Sequence, residues 1–219
     1  MRNTSSTFRK PEPRPKALDR PPAGMDDALD LLRTSLEAAP LIWRDDYPYV
    51  IHPVMDGVPR IDGNVLGAVV DLVEQVVDWS NVDLILGIEA MGLPLCAPLS
   101  VSTGMPMVVA RKRSYELPGE VTIDQSTGYS NGAMYLNDTK PGERVLIVDD
   151  VLSTGGTLRA VIDGIRRCGA VVSEIVVIVE KGEGLRRLMT EEPLVSIKAL
   201  TALDVEDGRV VTRAPSSMA

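Results

Sequence analysis

Residues Val145 to Thr157 read VLIVDDVLSTGGT and hold the side chains best suited to chemistry. Val145 to Val148 have the length and composition of a buried strand, ending at Asp149 and Asp150. Neighbouring side chains on a strand face opposite ways. Both carboxylates therefore reach one ligand only if the strand stops there, in the crevice beyond its carboxyl edge. Ser153, Thr154, Gly155, Gly156 and Thr157 then open a helical pattern. Small residues let the backbone approach closely, and the N–H groups at the positive end of the helix form an anion site to which hydroxyls add donors. Two carboxylates would repel a bound phosphate unless they face something else. A ribose fits between, its hydroxyls donating to the carboxylates, and a divalent cation can be held nearby. The chemistry implied is recognition of a ribose 5-phosphate.

Competing chemistries leave no trace. The chain has neither G-x-x-x-x-G-K-[ST] nor a G-x-G-x-x-G after a strand, which removes the usual nucleoside triphosphate and dinucleotide cradles. No His or Cys spacing suits a tightly held transition metal. Ser153 has no histidine near it in sequence, so hydrolytic nucleophile chemistry is unsupported. His52, the only histidine, lies in the segment IHPVMDGVP and is read as a satisfied loop residue.

The elements that must position the acid pair follow from periodicity. Residues 26–38 and 64–79 have helical spacing, the first with acidic residues where the helix dipole favours them. Short apolar runs of strand length follow at 83–87, 107–110, 145–148 and 175–179, with helical segments at 93–102 and 157–168 between them. Strands apolar on both faces and alternating with helices predict an α/β fold, a doubly wound and mainly parallel sheet. Residues 112–133 break this rhythm. They are polar and glycine-containing, and are read as a long flexible loop able to close over a site.

The 219 residues carry a formal charge of −8, unevenly placed. Residues 1–24 hold six basic and two acidic residues and five prolines, and are expected to be a disordered basic tail or an extension upstream of a start at Met25. The remainder, at −12, is expected to form one domain over 25–219, with its core at about 64–182. An acidic body argues against broad nucleic-acid binding, and no apolar run suggests a membrane span. Two cysteines, Cys96 and Cys168, make no disulfide framework, so a cytoplasmic setting is expected.

The strand, acid pair and TGGT resemble the phosphoribosyl pyrophosphate (PRPP) signature of the type I phosphoribosyltransferases. Gly87 to Gly92, GIEAMG, is similar to that family's pyrophosphate loop, which often has a cis non-proline peptide; Ala90, Met91 and Gly92 would meet PRPP. Many adenine-specific relatives have an arginine where Met91 stands. RKRSYELPGEV (111–121) looks like the start of the family's mobile flap, with Arg111 and Lys112 toward the pyrophosphate. Gly128 stands before Tyr129, where adenine enzymes commonly have a glutamate. Together with YPYVIHPVMDGVP (47–59), these stretches look most like the archaeal-type hypoxanthine phosphoribosyltransferases, with adenine-enzyme features.

The resemblance implies purine salvage: a base and PRPP give a nucleoside monophosphate and pyrophosphate. Asp149 and Asp150 would hold ribose and magnesium, Glu116 and Glu120 are proton-transfer candidates, and Lys181 would read the base. It also implies a hood built from the N- and C-terminal parts, and a homodimer. Hypoxanthine or guanine is favoured over adenine because a lysine only donates, which suits a 6-oxo group. An orotate enzyme or a PRPP-sensing regulator is the less favoured reading.

Overall fold

The computed structural model describes residues 24–127 and 130–218. The expected tail, apart from Gly24, and the Gly128–Tyr129 pair lie outside the described residues. In chain order the elements begin with α1 (Met25–Glu37), a hairpin of β1 (Leu41–Arg44) and β2 (Tyr47–Val50), α2 (Pro53–Asp56) and α3 (Gly63–Val76). Next come β3 (Leu84–Ile88), α4 (Gly92–Thr103), β4 (Met107–Ala110), β5 (Val121–Thr127) and β6 (Ser130–Leu136). The chain continues with β7 (Arg144–Leu152), α5 (Gly156–Arg167), β8 (Val171–Glu180), α6 (Gly184–Glu191), β9 (Ser196–Glu206) and β10 (Arg209–Arg213).

The central sheet has the order β10-β9-β8-β7-β3-β4. All its neighbours are parallel except β10, which pairs antiparallel at one edge. The winding reverses between β3 and β7. From β3 the chain crosses by α4 to β4 on one side, and from β7 by α5 to β8 on the other. Crossovers that diverge in this way leave a crevice at the carboxyl ends of the two central strands. The register Gly87↔Val148 brings the ends of β3 and β7 side by side.

Two apolar layers cover the sheet. One packs α1, α3 and α4 on Ile85, Leu146, Val148 and Val176. Ala28, Leu32 and Leu36 of α1, spaced four apart, are fully buried against this layer. The other packs α5 and α6 on Leu84, Leu86, Val145, Ile147 and Ile175.

The segment expected as a loop, 112–133, is largely ordered in another form. β5 and β6 make an antiparallel ribbon paired from Val121↔Leu136 to Thr127↔Ser130. Ile123, Met134 and Leu136 are at most 1% exposed and belong to the second apolar layer. Ile123 lies on α5 where Gly164 leaves room, since a Cβ there would stand 2.6 Å from Ile123 Cγ1. Arg167 of α5 donates to the Thr122 carbonyl at 2.6 Å. Alternation of Val121 and Ile123, then Met134 and Leu136, is the period-two signal for the ribbon. The polar residues between had masked it.

Gly164→Ala is expected to overpack this contact and cost about 1–3 kcal/mol, read as a lower urea midpoint. An unchanged midpoint would show that the ribbon is not held on α5.

Candidate active site

β7 runs on past the acid pair, where the sequence suggested it would stop. Its pairing with β8 continues in one register from Leu146↔Glu174 to Leu152↔Glu180. Leu146 and Val148 face the first apolar layer, and Val145 and Ile147 the second. Beyond the pair, Val151 packs on the first layer and Leu152 on the second, the reverse of what a regular strand would give. The carboxyl groups of Asp149 and Asp150 lie close enough to shift each other's proton affinity.

Asp149 is only 7% exposed. Burial, and then the charge of Asp150, holds its carboxyl well above the ordinary range. Burial pushes Asp150 up to about 6, and the nearby charge of Asp56 adds to the rise. Burial also raises the Cys96 thiol on α4, with Asp149 contributing, which places that carboxylate toward α4. Among the described residues no third carboxylate, histidine or cysteine joins the pair in a metal-sized cluster. The pair is a hard-oxygen set of two in an apolar surround, which suits a divalent cation completing its shell with water and ligand oxygens.

The turn after β7 places Ser153 and Thr154 in the open, and Gly155, with φ 79°, opens α5. Only a residue tolerant of this left-handed backbone aims the next N–H groups out of the helix end. Gly184 is pressed against the same turn; a Cβ there would be 2.1 Å from the Ser153 carbonyl oxygen. The start of α6 thus fixes the turn from behind.

Beside this turn lies the loop after β3. The Glu89–Ala90 peptide is cis, Met91 caps α4, and Gly92 enters that helix. Gly87 and Gly92 meet so closely that a Cβ on Gly92 would stand 3.0 Å from Gly87 and 3.1 Å from the Val148 carbonyl. Glu89, which sequence reasoning passed over, ties this loop to the next segment. Its Oε2 accepts from Lys112 N at 2.8 Å and lies 3.3 Å from Arg111 Nε. Arg111 and Lys112 are therefore brought beside the loop of Ala90, Met91 and Gly92.

Lys181 leaves β8 through Glu180, its N–H bonded to the Leu152 carbonyl at 2.9 Å. Its ammonium stands 4.9 Å from the centre of the Tyr47 ring. Tyr47, Pro48, Ser153, Lys181, Leu203 and Asp204 line a cleft of about 290 Å³. The N-terminal hairpin and β9 thereby meet over the acid-pair turn. Sequence reading assigns no role to Tyr47, although it lies in the stretch 47–59, nor to Asp204, because β9 carries no recognised pattern.

The two proton-transfer candidates fare differently from the rest. Glu120 accepts from Ser114 Oγ, Tyr115 N and Asn137 Nδ2, and these donors hold its carboxyl down at about 2. It is an ionised clasp of the turn before β5, which disqualifies it as a proton donor near neutrality in this conformation. Glu116 stands exposed in that turn with φ 55°. His52 is indeed satisfied: Nδ1 accepts from Val54 N at 3.2 Å, capping α2, which leaves Nε2–H for Ser35 Oγ at 2.9 Å.

Comparison with known proteins follows the same lines. The family described as "Phosphoribosyl transferase domain" matches residues 60–198. A hypoxanthine/guanine phosphoribosyltransferase of Methanotorris igneus is 46% identical over 181 residues, 83% of this chain and 98% of that protein. One from Methanohalophilus mahii is 47% identical, covering 82% and 94%. Among solved structures, adenine phosphoribosyltransferase from Thermoanaerobacter pseudethanolicus has TM-score 0.65 at 22% identity, covering 80% of this chain and 99% of that one. The Giardia lamblia enzyme complexed with 9-deazaadenine has TM-score 0.59 at 24% identity, covering 81% and 97%. At these identities the structures speak for the fold.

The acid pair makes a stability prediction. Between the ordinary aspartate value and about 6, folded Asp150 keeps its proton while the unfolded chain has lost it, so ligand-free stability falls as pH rises through that window. Asp150→Asn lacks this loss. Its melting temperature is expected to exceed the parent's above pH 6, with the gap closing toward pH 4. A pH-independent gap, or a less stable variant, would contradict the burial argument.

Proposed function

The chain belongs to the phosphoribosyl transferase family, and from that premise we propose that it is a purine phosphoribosyltransferase of purine salvage. It transfers the 5-phosphoribosyl group of PRPP to a base, hypoxanthine or guanine in preference to adenine. The observation that carries this reading is the junction of three features at one crevice: the acid pair, the N-terminus of α5, and the cleft of Lys181 and Asp204 that shares Ser153 with it. Hypoxanthine/guanine naming of the archaeal relatives supports the base preference. So does the cleft. A lysine ammonium donates to a 6-oxo group, and a carboxylate such as Asp204 accepts from the N1–H of a 6-oxopurine, which adenine lacks.

In the reaction the bond from ribose C1 to the pyrophosphate oxygen breaks, a bond from C1 to a base nitrogen forms, and that nitrogen gives up its proton. Positive charge grows on the ribose ring as pyrophosphate departs, and nearby carboxylate charge stabilises such a state. Asp149 and Asp150 would hold the ribose hydroxyls with that charge facing the ring. Backbone N–H groups of 155–157, with the hydroxyls of Ser153, Thr154 and Thr157, would fix the 5′-phosphate and so orient the encounter. Ala90, Met91 and Gly92, with Arg111 and Lys112, would receive the pyrophosphate. Asp149 and Asp150 would also hold magnesium, which when bound supplies neutralisation of the departing charge. A homodimeric, cytoplasmic enzyme completes the proposal. No helix among the described residues is long and apolar enough to cross a membrane.

The test is pyrophosphate release from PRPP and magnesium with hypoxanthine, guanine, xanthine, adenine, uracil and orotate offered separately. Turnover with a 6-oxopurine is expected; turnover confined to adenine or orotate would overturn the base assignment, and none with any base would overturn the activity. Asp150→Asn is expected to lower kcat by roughly 10²–10³-fold while staying folded. Near-parental kcat would remove the ribose and magnesium roles. Lys181→Met should narrow the preference for hypoxanthine over adenine by about tenfold or more, measured as a ratio of kcat/KM values; an unchanged ratio would clear Lys181 of that role.

A further inference from the structure

Arg111 sits at a three-way junction. Its backbone bridges Tyr135 of β6, donating at 3.0 Å and accepting at 2.8 Å. Its guanidinium reaches Tyr115 OH at 3.3 Å through Nη2, and Nε faces Glu89 at 3.3 Å. The last contact is an ion pair without an aligned hydrogen bond: Arg111 Nε is a buried donor left without a hydrogen-bond partner. Glu89 is held far more firmly. Its own N–H donates to the Ala110 carbonyl at 3.1 Å, and its Oε2 takes Lys112 N at 2.8 Å. A fixed carboxylate thus stands against a loosely matched guanidinium, at the mouth of the loop where an anion would arrive.

We propose that Glu89 is a positioning residue that holds Arg111 in the ligand-free protein and gives it up to the arriving pyrophosphate. The inference rests on the PRPP-dependent reading above. A guanidinium makes stronger, bidentate bonds to phosphate oxygens than this misaligned contact allows, so exchange favours the ligand. Glu89 keeps the Lys112 N–H throughout, and the strand end at 110–112 does not come adrift. Because the Arg111 backbone is tied to Tyr135, exchange at the side chain is felt by β6. Glu89 therefore competes with PRPP for Arg111, and its charge sets how tightly pyrophosphate is kept after transfer.

The experiment is calorimetric titration of PRPP, and separately of inorganic pyrophosphate, each with magnesium, into the parent, Glu89→Gln, Arg111→Met and the double variant. Glu89→Gln retains an oxygen for Lys112 N but drops the charge. It is expected to bind both ligands roughly fivefold tighter, the scale of one half-exposed ion pair, and to lower KM for PRPP without raising kcat. In the Arg111→Met background the same change should have no effect on Kd. Unchanged or weaker binding in Glu89→Gln, or an equal gain without Arg111, would overturn the proposal. If Glu89→Gln does not fold, Glu89→Asp, whose carboxylate is one methylene shorter, is expected to shift Kd in the same direction, and no shift would overturn it. A parent protein that binds neither ligand would instead overturn the PRPP reading, which separates the two failures.

Discussion

Two carboxyl groups on consecutive residues of a buried central strand are costly to keep, and much of the site is organised around that cost. Asp149 and Asp150 are desolvated by the same apolar layers that hold the sheet together, and the charge of Asp150 further raises the proton affinity of Asp149. A regular strand would have pointed them to opposite faces. Here the two still interact, at the crevice where the sheet changes its direction of winding. An environment of this kind disfavours anions alone and rewards a partner that is cationic or rich in hydroxyl donors. A ribosyl ring gaining positive charge, with a divalent cation beside it, is such a partner.

The reversal of winding explains how the remaining groups reach that pair. Loops at 88–92 and 153–157 are some 60 residues apart in sequence, yet the pairing of β3 with β7 sets them side by side. Glycines at 87 and 92 allow α4 to start directly on the strand, and Gly184 lets α6 lie against the Ser153 turn. Close backbone packing on both sides leaves the two loops little freedom, which suits groups that must meet a charged ligand without reorganising. Glu89 and Arg111 extend this arrangement outward to the ribbon of β5 and β6. That ribbon is anchored on α5 along its inner half by Ile123, Met134 and Leu136.

The cleft for a base is assembled from parts that have no tie in sequence. Tyr47 belongs to a two-stranded hairpin near the start of the chain, Lys181 to the end of β8, and Asp204 to β9. A lone hairpin is marginal in water. Val50, at the end of β2, is buried in the first apolar layer and secures it there. Tyr47 is thereby presented to Lys181, whose cation lies against the ring instead of extending freely into solvent. The pairing keeps the ammonium at the cleft wall, where its donors remain free to point inward.

Much of this could be read from the chain alone, wherever one residue run contained both the pattern and its consequence. β3, β4, β7 and β8 and the helices between them showed as apolar runs and helical spacing, most clearly in β3, β7 and β8, where burial on both faces leaves an uninterrupted signal. Asp149, Asp150 and the Ser153 to Thr157 turn declared themselves because strand end, anion site and acids are contiguous. The ribbon was obscured because its apolar residues are every second one in a polar stretch, and β1, β9 and β10 gave no recognised pattern. Glu120 looked like a free proton-transfer group until the turn placed three donors on it. Glu89 and Tyr47 lie inside stretches that carry the resemblance, yet nothing local assigns them a role, because Arg111 and Lys181 are distant in sequence; Asp204 gave no recognised signal. Local composition determined the strands, the helices and the phosphate turn; the distant pairings were decided only when the sheet brought those strand ends together.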